Sequence, residues 1–376
     1  MTRALTLFGI LMLPLMAWAN TPIPSPPKLP TKGYFLLDGI SGRVIAEESP
    51  DQRVEPASLT KLMTAYVVFR ALQASQINLA DEVYISEKAW RTTGSRMFIE
   101  VNTSVSVEDL LKGMIIQSGN DASVALAEHV AGSEDTFATL MNNYAAELGL
   151  TGSQFQNSTG LPADDHYTTA RDVAMLARAI IEQFPEYYHW YSEREYTYNG
   201  ITQHNRNSLL WRDDSVDGVK TGHTDAAGYC LVSSADRDGM RLIAVVMGTP
   251  STKARADASQ ALLNYGYRFF ETHRLYEAGQ PITSARVWKG DAESAPIGLQ
   301  HDLYITIPRG TYDNLTAVMD LQARLMAPLD STTAVGTVTV SLDGEQVSEA
   351  TLVALQKIEM GSMWQRIRDQ VLLWLE

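Results

Sequence analysis

The segment Pro56-Ala57-Ser58-Leu59-Thr60-Lys61 opens a long apolar run that extends to Leu72. Apolar residues recur along this run at helical spacing and also fill the other faces, which predicts a helix buried nearly all round. Proline suits the first turn of a helix, so Ser58 and Lys61 are placed near the amino-terminal end. We expect this buried helix to organise the rest of the fold.

Ser58 and Lys61 are three residues apart and therefore share a helix face, which brings the lysine amine beside the serine hydroxyl. A serine is a poor nucleophile until a neighbouring base takes its proton. The unpaired N–H groups of a first helical turn also attract negative charge. The pair would equally fit a core helix with one polar serine and one long lysine, so this motif alone does not decide the function.

The start of the chain has the pattern of a targeting segment. Residues 1–19 hold one charge, Arg3, before an apolar run that ends in Ala17-Trp18-Ala19, a small-x-small cleavage pattern. The run is too short for a membrane span, so we predict a secretory signal peptide at 1–19. Residues 20–32 are rich in proline and are predicted to form an exposed leader.

Composition excludes several classes of protein. The formal net charge of −14 argues against a nucleic-acid partner. The single cysteine, Cys230, excludes an intramolecular disulfide framework and is predicted to be a buried thiol. The seven histidines show no zinc-ligand spacing, so we expect no metal and no other cofactor.

Residues 33–283 show the pattern of one mixed domain. A hairpin is predicted at 33–47, and strand-like runs at 230–234 and 241–247 flank a turn. Helices are predicted between and after them, with caps at Thr169 and Ser251, over the ranges 107–116, 120–130, 134–147, 170–182 and 252–270. Strands at both ends of a helical segment predict an α+β domain in which helices pack on an antiparallel sheet.

After residue 283 the pattern changes to short alternating runs separated by turns. These runs cover 303–307, 315–321, 333–342 and 351–355, and they predict a small all-β sandwich over 284–357.

The last segment, 358–376, is predicted to be an amphipathic helix on a membrane surface. Its apolar side chains fall within an arc of about 120°, and they are Met360, Met363, Trp364, Ile367, Val371, Trp374 and Leu375. The segment is too short and too charged to span a bilayer, and two tryptophans favour an interface. The alternative is a terminal helix that packs its apolar side on the protein's own β domain.

Two further short motifs carry candidate site residues. Ser118-Gly119-Asn120 is either a turn with a helix cap or a second serine that relays protons beside an amide placed over a substrate carbonyl. Lys220-Thr221-Gly222, followed by His223, is either a solvated hairpin edge or an edge strand that pairs with an extended substrate. In the second interpretation the lysine holds a carboxylate, and Gly222 permits close backbone approach.

The three motifs are weak separately and strong together. They occur in the order Ser-x-x-Lys, Ser-x-Asn, Lys-Thr-Gly, with 60 residues (118 − 58) and then 102 residues (220 − 118) between them. This combination is typical of β-lactamases and penicillin-binding proteins, which form an acyl-serine intermediate.

The chain resembles the type-5 low-molecular-mass penicillin-binding proteins, which are periplasmic D-alanyl-D-alanine carboxypeptidases of peptidase family S11. The resemblance covers residues 55–61, 117–122, 217–224, 266–272 and 307–310, and the amphipathic end of the chain. It implies a transpeptidase-like first domain, a β-rich second domain and a last helix that docks on the inner membrane. It also implies peptidoglycan stem peptides as substrates and β-lactam antibiotics as inhibitors.

The resemblance also implies roles for single residues. Ser58 would be the acylated nucleophile and Lys61 its base, with Ser118 and Asn120 as partners. Lys220, Thr221 and Arg255 would contact the terminal carboxylate of the substrate, beside Gly222. The N–H groups of Ser58 and His223 would form the oxyanion hole. Well-known members carry a histidine where this chain has Thr159, so a deacylation role for that loop does not transfer.

Two alternatives remain open at this point. A class A β-lactamase deacylates through a water held by a glutamate, whereas the loop at 158–169 offers Asp164 and Asp165 but no glutamate. A non-catalytic protein that binds peptidoglycan or β-lactams would need no lysine beside the serine. We therefore predict a serine DD-carboxypeptidase in the periplasm, attached to the inner membrane through its last helix.

Overall fold

The computed structural model describes residues 23–375. The predicted signal peptide at 1–19 lies outside this range. The described part of the Pro-rich leader contains no helix or strand before Gly33. It contacts the folded chain at Pro24, whose carbonyl accepts a hydrogen bond from the Tyr265 hydroxyl at 2.9 Å.

The α-helices of the described chain are α1 Thr60–Gln73, α2 Glu87–Arg91, α3 Val107–Ile116, α4 Asn120–Ala131, α5 Glu134–Glu147, α6 Ala170–Gln183, α7 Pro185–Tyr188, α8 Thr252–Phe269 and α9 Met363–Leu375. The predicted caps are confirmed. The Thr169 hydroxyl accepts from the Asp172 N–H at 3.1 Å, and the Ser251 hydroxyl accepts from the Ala254 N–H at 3.1 Å. Each cap satisfies an N–H group that has no partner inside its helix.

The strands fall into a first set around the helices and a second set after α8. The first set is β1 Gly33–Asp38, β2 Val44–Glu48, β3 Glu82–Tyr84, β4 Ser104–Ser106, β5 Glu195–Tyr198, β6 Ile201–His204, β7 Val216–Thr224, β8 Gly228–Arg237 and β9 Met240–Thr249. The second set is β10 Phe270–Tyr276, β11 Thr283–Trp288, β12 Ser294–Gly298, β13 Leu303–Pro308, β14 Leu315–Leu321, β15 Leu325–Met326, β16 Ala334–Leu342 and β17 Glu345–Ala354.

A five-stranded antiparallel sheet forms the centre of the first region, in the order β2-β1-β9-β8-β7. Alternate residues of its strands enter two cores, as the period of two in a strand requires. Val232 and Val245 pack with α1 and its neighbouring helices, whereas Leu231 and Val246 pack with α8 on the opposite face. The α+β expectation is confirmed, and strand β7 lies at one edge of the sheet.

The second region is all-β, as predicted. It contains a six-stranded sheet in the order β14-β16-β17-β12-β11-β15 and a two-stranded sheet of β10 and β13. A separate core fills it, in which Val338, Leu352 and Ile358 are fully buried. Strand β10, which continues directly from α8, was not predicted from the sequence.

A buried polar network joins the two regions. The Asp38 carboxylate, which is fully buried, accepts from the Ser41 hydroxyl at 2.8 Å and from the Thr272 hydroxyl at 2.8 Å. The Thr306 hydroxyl lies 2.6 Å from that of Ser41 and 2.8 Å from that of Thr272. Since buried polar groups are costly unless they are paired, these contacts favour one arrangement of the two regions.

Helix α9 is held to the β region through its polar side. Asp369 is buried and accepts from the Lys289 N–H at 2.7 Å, and Arg368 pairs with Glu293 at 2.9 Å. Trp364 and Trp374 are 83% and 86% exposed. The alternative in which the apolar side packs on the β region is therefore wrong. Among residues 23–375, no helix has the length and apolar character needed to cross a membrane.

Candidate active site

Ser58 lies in a short 3-10 turn, Ala57–Leu59, and α1 begins two residues later at Thr60. The predicted buried helix is confirmed, but it starts later than Pro56 suggested. The turn keeps the serine and the lysine on one side, and the Nζ atom of Lys61 lies 3.1 Å from the Oγ atom of Ser58. The structure therefore brings the predicted nucleophile and base into hydrogen-bond contact.

Lys61 is 1% exposed, although it is a lysine. Its Nζ atom also donates to Oδ1 of Asn120 at 2.7 Å and to the carbonyl oxygen of Thr159 at 2.5 Å. Burial, and then the nearby Arg206 guanidinium, lower the pKa of Lys61 to about 7, while the Asp121 carboxylate opposes this shift. A lysine with this pKa is neutral in a large fraction of molecules at neutral pH, as a general base requires.

Ser118 lies in the break between α3 and α4, with a φ of +68°. Its hydroxyl accepts a hydrogen bond from Nζ of Lys220 at 2.9 Å. Asn120, the first residue of α4, uses both ends of its amide inside the protein, because its Nδ2 atom donates to the Thr93 carbonyl at 2.6 Å. Asn120 therefore orients Lys61 in the described structure. The expectation that its amide lies over a substrate carbonyl stays a prediction.

Asp121 is a site residue that the sequence analysis missed. It is fully buried, and its carboxylate accepts from the N–H groups of Met97, Phe98 and Ile99 at 3.0, 2.9 and 3.3 Å. It therefore fixes the segment after Thr93, whose carbonyl holds Asn120. An acidic residue in the first turn of a predicted helix was the available signal.

Lys220 and Thr221 lie on edge strand β7 and are 4% and 5% exposed. Burial, and then the neighbouring Lys61 amine, lower the pKa of Lys220 well below its usual value. Gly222 permits close approach, but its close neighbours belong to the nucleophile turn. A Cβ atom there would lie 3.2 Å from both the Leu59 side chain and the Pro56 carbonyl. The glycine therefore lets β7 pack beside Ser58.

His223 and Arg255 complete the predicted set. The His223 ring packs on Tyr229 with ring centroids 4.0 Å apart, and it is exposed at the mouth of the site. Arg255, on α8, is 7% exposed, and its guanidinium donates to the Gly222 carbonyl at 3.3 Å. Burial lowers the pKa of Arg255. Arg255 is therefore a buried part of the site rather than a solvated surface residue.

These residues surround an open cavity of about 780 Å³. Ser58, Ser118, Thr221 and His223 face it, while Lys61, Asn120 and Lys220 lie beneath its floor. Within the described chain, its lining contains four cationic side chains and no carboxylate, and the cations are Arg206, Arg212, Lys253 and Arg255. The cavity therefore suits an anionic ligand, although the whole chain is acidic. Arg206 and Arg212 were not predicted, because they lie outside any motif or periodic pattern.

A loop from Asn157 to Thr168 closes the side of the site next to Lys61. The Thr159 hydroxyl donates to Oδ1 of Asn157 at 3.0 Å, so only the Thr159 carbonyl faces the lysine. The Glu134 carboxylate accepts from the Ser158 N–H at 3.1 Å and from its hydroxyl at 2.8 Å. This loop therefore contributes a backbone acceptor to the site rather than a catalytic side chain.

Comparisons with known families give two matches. A family model described as D-alanyl-D-alanine carboxypeptidase matches residues 20–251. A second, described as penicillin-binding protein 5, C-terminal domain, matches residues 270–360. The two matches cover the region around the five-stranded sheet and the all-β region, respectively.

Single relatives agree with these matches. D-alanyl-D-alanine carboxypeptidase DacA of Escherichia coli strain K12 is 44% identical over 362 residues, which cover 94% of this chain and 90% of that protein. The crystal structure of penicillin-binding protein 5 from Haemophilus influenzae is 44% identical, with a TM-score of 0.84, and covers 89% of this chain and 99% of its own. Penicillin-binding protein D2 from Listeria monocytogenes, in its ampicillin-bound form, is 29% identical with a TM-score of 0.59, over 64% of this chain and 98% of its own.

Proposed function

The chain belongs to the D-alanyl-D-alanine carboxypeptidase family, and we propose that it removes the terminal D-alanine from peptidoglycan pentapeptide stems through an acyl-enzyme on Ser58. The observation that carries this proposal is the contact between Ser58 and Lys61. The serine hydroxyl lies 3.1 Å from a buried amine whose pKa is about 7, which is the arrangement that activates a serine nucleophile.

Acylation transfers the peptide from D-alanine to the enzyme. Neutral Lys61 accepts the Ser58 proton while Oγ of the serine forms a bond to the carbonyl carbon of the penultimate residue. The C–N bond to the terminal D-alanine then breaks, and the leaving amine takes up a proton relayed through Lys61 or Ser118. Water attacks the resulting ester, releases the shortened peptide and restores the serine hydroxyl.

The cationic wall of the cavity binds the free carboxy-terminus of the substrate. Thr221 and Arg255 line the cavity beside Ser58, and Lys220 lies beneath its floor next to Thr221. A carboxylate at this place would receive charge-assisted hydrogen bonds, which are stronger than bonds between neutral groups. This arrangement favours a carboxypeptidase, because an internal peptide bond has no terminal charge to offer.

Edge strand β7 supplies the backbone contacts. Its outer edge has no strand partner in the five-stranded sheet, so an extended peptide can pair with it. The N–H groups of Ser58 and His223 would form the oxyanion hole, which stabilises the negative charge that develops on the carbonyl oxygen. Donors that are fixed before the reaction begins require little reorganisation in the transition state.

β-Lactams would inhibit the enzyme by acylating the same serine. The Listeria protein with an ampicillin-bound structure resembles the region around Ser58, and a β-lactam carries a carboxylate beside its reactive amide. The cationic wall described above suits that carboxylate. The lactam ring would open on Ser58 without releasing a leaving group into solution, so the adduct would persist.

The proposed roles of the remaining parts of the chain would hold this site in the cell envelope. We propose a signal peptide at 1–19, a leader at 20–32, a serine DD-peptidase domain at 33–283 and a β-rich domain at 284–357. Residues 358–376 would attach the protein to the periplasmic surface of the inner membrane. The support is that α9 uses Asp369 and Arg368 to bind the β region, while Trp364 and Trp374 remain exposed.

The release of D-alanine tests this function. The purified protein is incubated with a peptide ending in D-alanyl-D-alanine, and free D-alanine is measured, alongside the turnover of a chromogenic cephalosporin. We expect the release of one D-alanine for each peptide that is hydrolysed, over many turnovers, and slow cephalosporin turnover. Fast cephalosporin turnover without D-alanine release would indicate a β-lactamase, and neither activity would indicate a binding protein.

A further inference from the structure

Three side chains of helix α1 form hydrogen bonds with the 157–168 loop. The Thr60 hydroxyl lies 2.9 Å from Nε2 of His166, and the Thr64 hydroxyl donates to the Ser158 carbonyl at 2.6 Å. Between them, Lys61 donates to the Thr159 carbonyl. The loop is therefore fastened on both sides of the contact that it makes with the catalytic lysine.

His166 is the buried side chain at the far end of this loop. It is 4% exposed and lies edge-on to Phe155, with ring centroids 6.0 Å apart. Its Nδ1 atom has no hydrogen-bond partner among the described residues, so the bond to Thr60 is the polar contact that its ring makes there. Burial lowers the pKa of His166 to about 4, and the imidazole is therefore neutral at neutral pH.

The loop backbone packs directly against the nucleophile turn. Gly160 has a φ of +84°, and a Cβ atom there would lie 1.8 Å from the Ala57 carbonyl oxygen and 2.9 Å from Oγ1 of Thr60. No other side chain fits this approach. A small outward movement of the loop would therefore open a path for water beside Ser58 and Lys61.

We propose that His166 is a positioning residue for the acylation reaction, and that its hydrogen bond to Thr60 holds the 157–168 loop closed over Lys61. The inference rests on the proposed role of Lys61 as the base. In this proposal, His166, which lies outside the three motifs, helps to exclude water from the Lys61 amine.

The charged groups that face Lys61 lie outside this loop. Asp121 is on α4, Lys220 is on β7, and Arg206 precedes the 3-10 turn Ser208–Trp211. Opening the loop would not change the distances from these charged groups to Lys61. It would change mainly the hydration of the Lys61 amine. Burial is the largest cause of the lowered Lys61 pKa, so admitting water raises that pKa. The loss of the Thr159 carbonyl acts in the opposite direction, but it removes one hydrogen bond only.

The test compares acylation by a fluorescent penicillin from pH 5 to 9.5 in three variants. His166→Leu and Thr60→Val each remove the hydrogen bond, whereas His166→Gln keeps a polar partner for Thr60. In the pH–rate profile of acylation, the acidic limb is the part where the rate falls as Lys61 becomes protonated. We expect this limb to move to higher pH by about one unit in the first two variants, since loop opening rehydrates the amine only partly. Their acylation at pH 7 would fall about fivefold, because the neutral fraction of Lys61 falls from about a half to about a tenth. The rate at high pH would stay within about twofold of the wild-type rate, and His166→Gln would keep the wild-type limb.

The double variant Thr60→Val/His166→Leu should shift the limb no further than either single change, since both remove the same bond. A limb that stays in place or moves down overturns the proposal, even if the melting temperature falls, because that result describes a structural role only. An equal shift in His166→Gln, or an additive shift in the double variant, also overturns it. If His166→Leu does not fold, the nearly isosteric Thr60→Val decides the question. Normal acylation in Lys61→Arg would instead refute the proposed base, on which this inference rests.

Discussion

The Nζ atom of Lys220 lies 2.9 Å from the Oγ atom of Ser118, which is 102 residues earlier in the chain. This pair stands beside the second lysine–serine pair, Lys61 and Ser58, and both lysines are buried. Burial, and then the Lys61 amine, lower the pKa of Lys220, whereas burial, and then the Arg206 guanidinium, lower the pKa of Lys61 to about 7. The arrangement therefore favours a neutral amine next to the nucleophile.

Replacing Lys61 with arginine tests its role as the base. Arginine keeps the positive charge but cannot accept a proton at accessible pH. We expect stopped-flow acylation to slow by at least about 100-fold, as is typical when a general base is lost. Lys112→Arg, at a surface ion pair with Glu108, is the matched control and should react at the wild-type rate. A Lys61→Arg rate within about threefold of wild type would exclude this lysine as the base.

The pH dependence of acylation should report the pKa of Lys61. Its pKa is lowered to about 7, so the amine is neutral above that pH and protonated below it. The rate should therefore fall with decreasing pH below 7, by about tenfold per unit. His166, with a pKa of about 4, titrates below this range. Measured rates that remain flat between pH 5 and 9, or that rise only near pH 10, would contradict this assignment.

Arg255→Ala should reduce the preference for a free carboxy-terminus. A lost charge-assisted hydrogen bond costs about 1.5–3 kcal/mol, so kcat/KM for the free acid should fall by about 10- to 100-fold. The corresponding peptide amide carries no charge at that end and should be affected less. Arg268→Ala, near the other end of α8, is the control and should leave both substrates unchanged. Equal losses on the acid and the amide would show that Arg255 has a structural role only.

Membrane attachment should depend on the apolar side of α9. We expect the full protein to float with vesicles of phosphatidylethanolamine and phosphatidylglycerol, and a protein that ends at Lys357 to remain in solution. Each large apolar side chain that becomes fully buried contributes about 1.5–3 kcal/mol, so flotation should persist at high salt. Trp364→Ser/Trp374→Ser should weaken it. Equal flotation of the full and shortened proteins would refute the anchor, and loss of flotation in salt would refute its apolar basis.

Local patterns in the sequence predicted much of the fold. The bounds of α3 and α5 agree with the prediction, because regular apolar spacing and flanking turns define them. The start of α1 was misplaced, since a 3-10 turn and an α-helical turn share the same short-range pattern. Strands β5 and β6 were not predicted. They are four residues each and mostly exposed, and such strands carry little periodic signal.

The site was predictable where its residues occur in motifs and not where they act through the backbone. Ser58, Lys61 and Lys220 were identified from short motifs that the fold brings together. The loop accepts a hydrogen bond from Lys61 through the backbone carbonyl of Thr159. Because every residue type has a backbone carbonyl, the sequence gives no signal for this contact. Arg206, the nearby cation that helps to lower the pKa of Lys61, was not predicted. Its position depends on loop geometry, which sequence periodicity does not describe.

Covalent labelling of Ser58 tests the central claim most directly. The protein and its Ser58→Ala variant are each incubated with benzylpenicillin, and their intact masses are measured. The account predicts a penicilloyl adduct on the wild-type protein and no adduct on the Ser58→Ala variant, with unchanged melting temperatures because the lost hydroxyl contributes little packing. A penicilloyl adduct on the folded Ser58→Ala variant would contradict the assignment of Ser58 as the nucleophile.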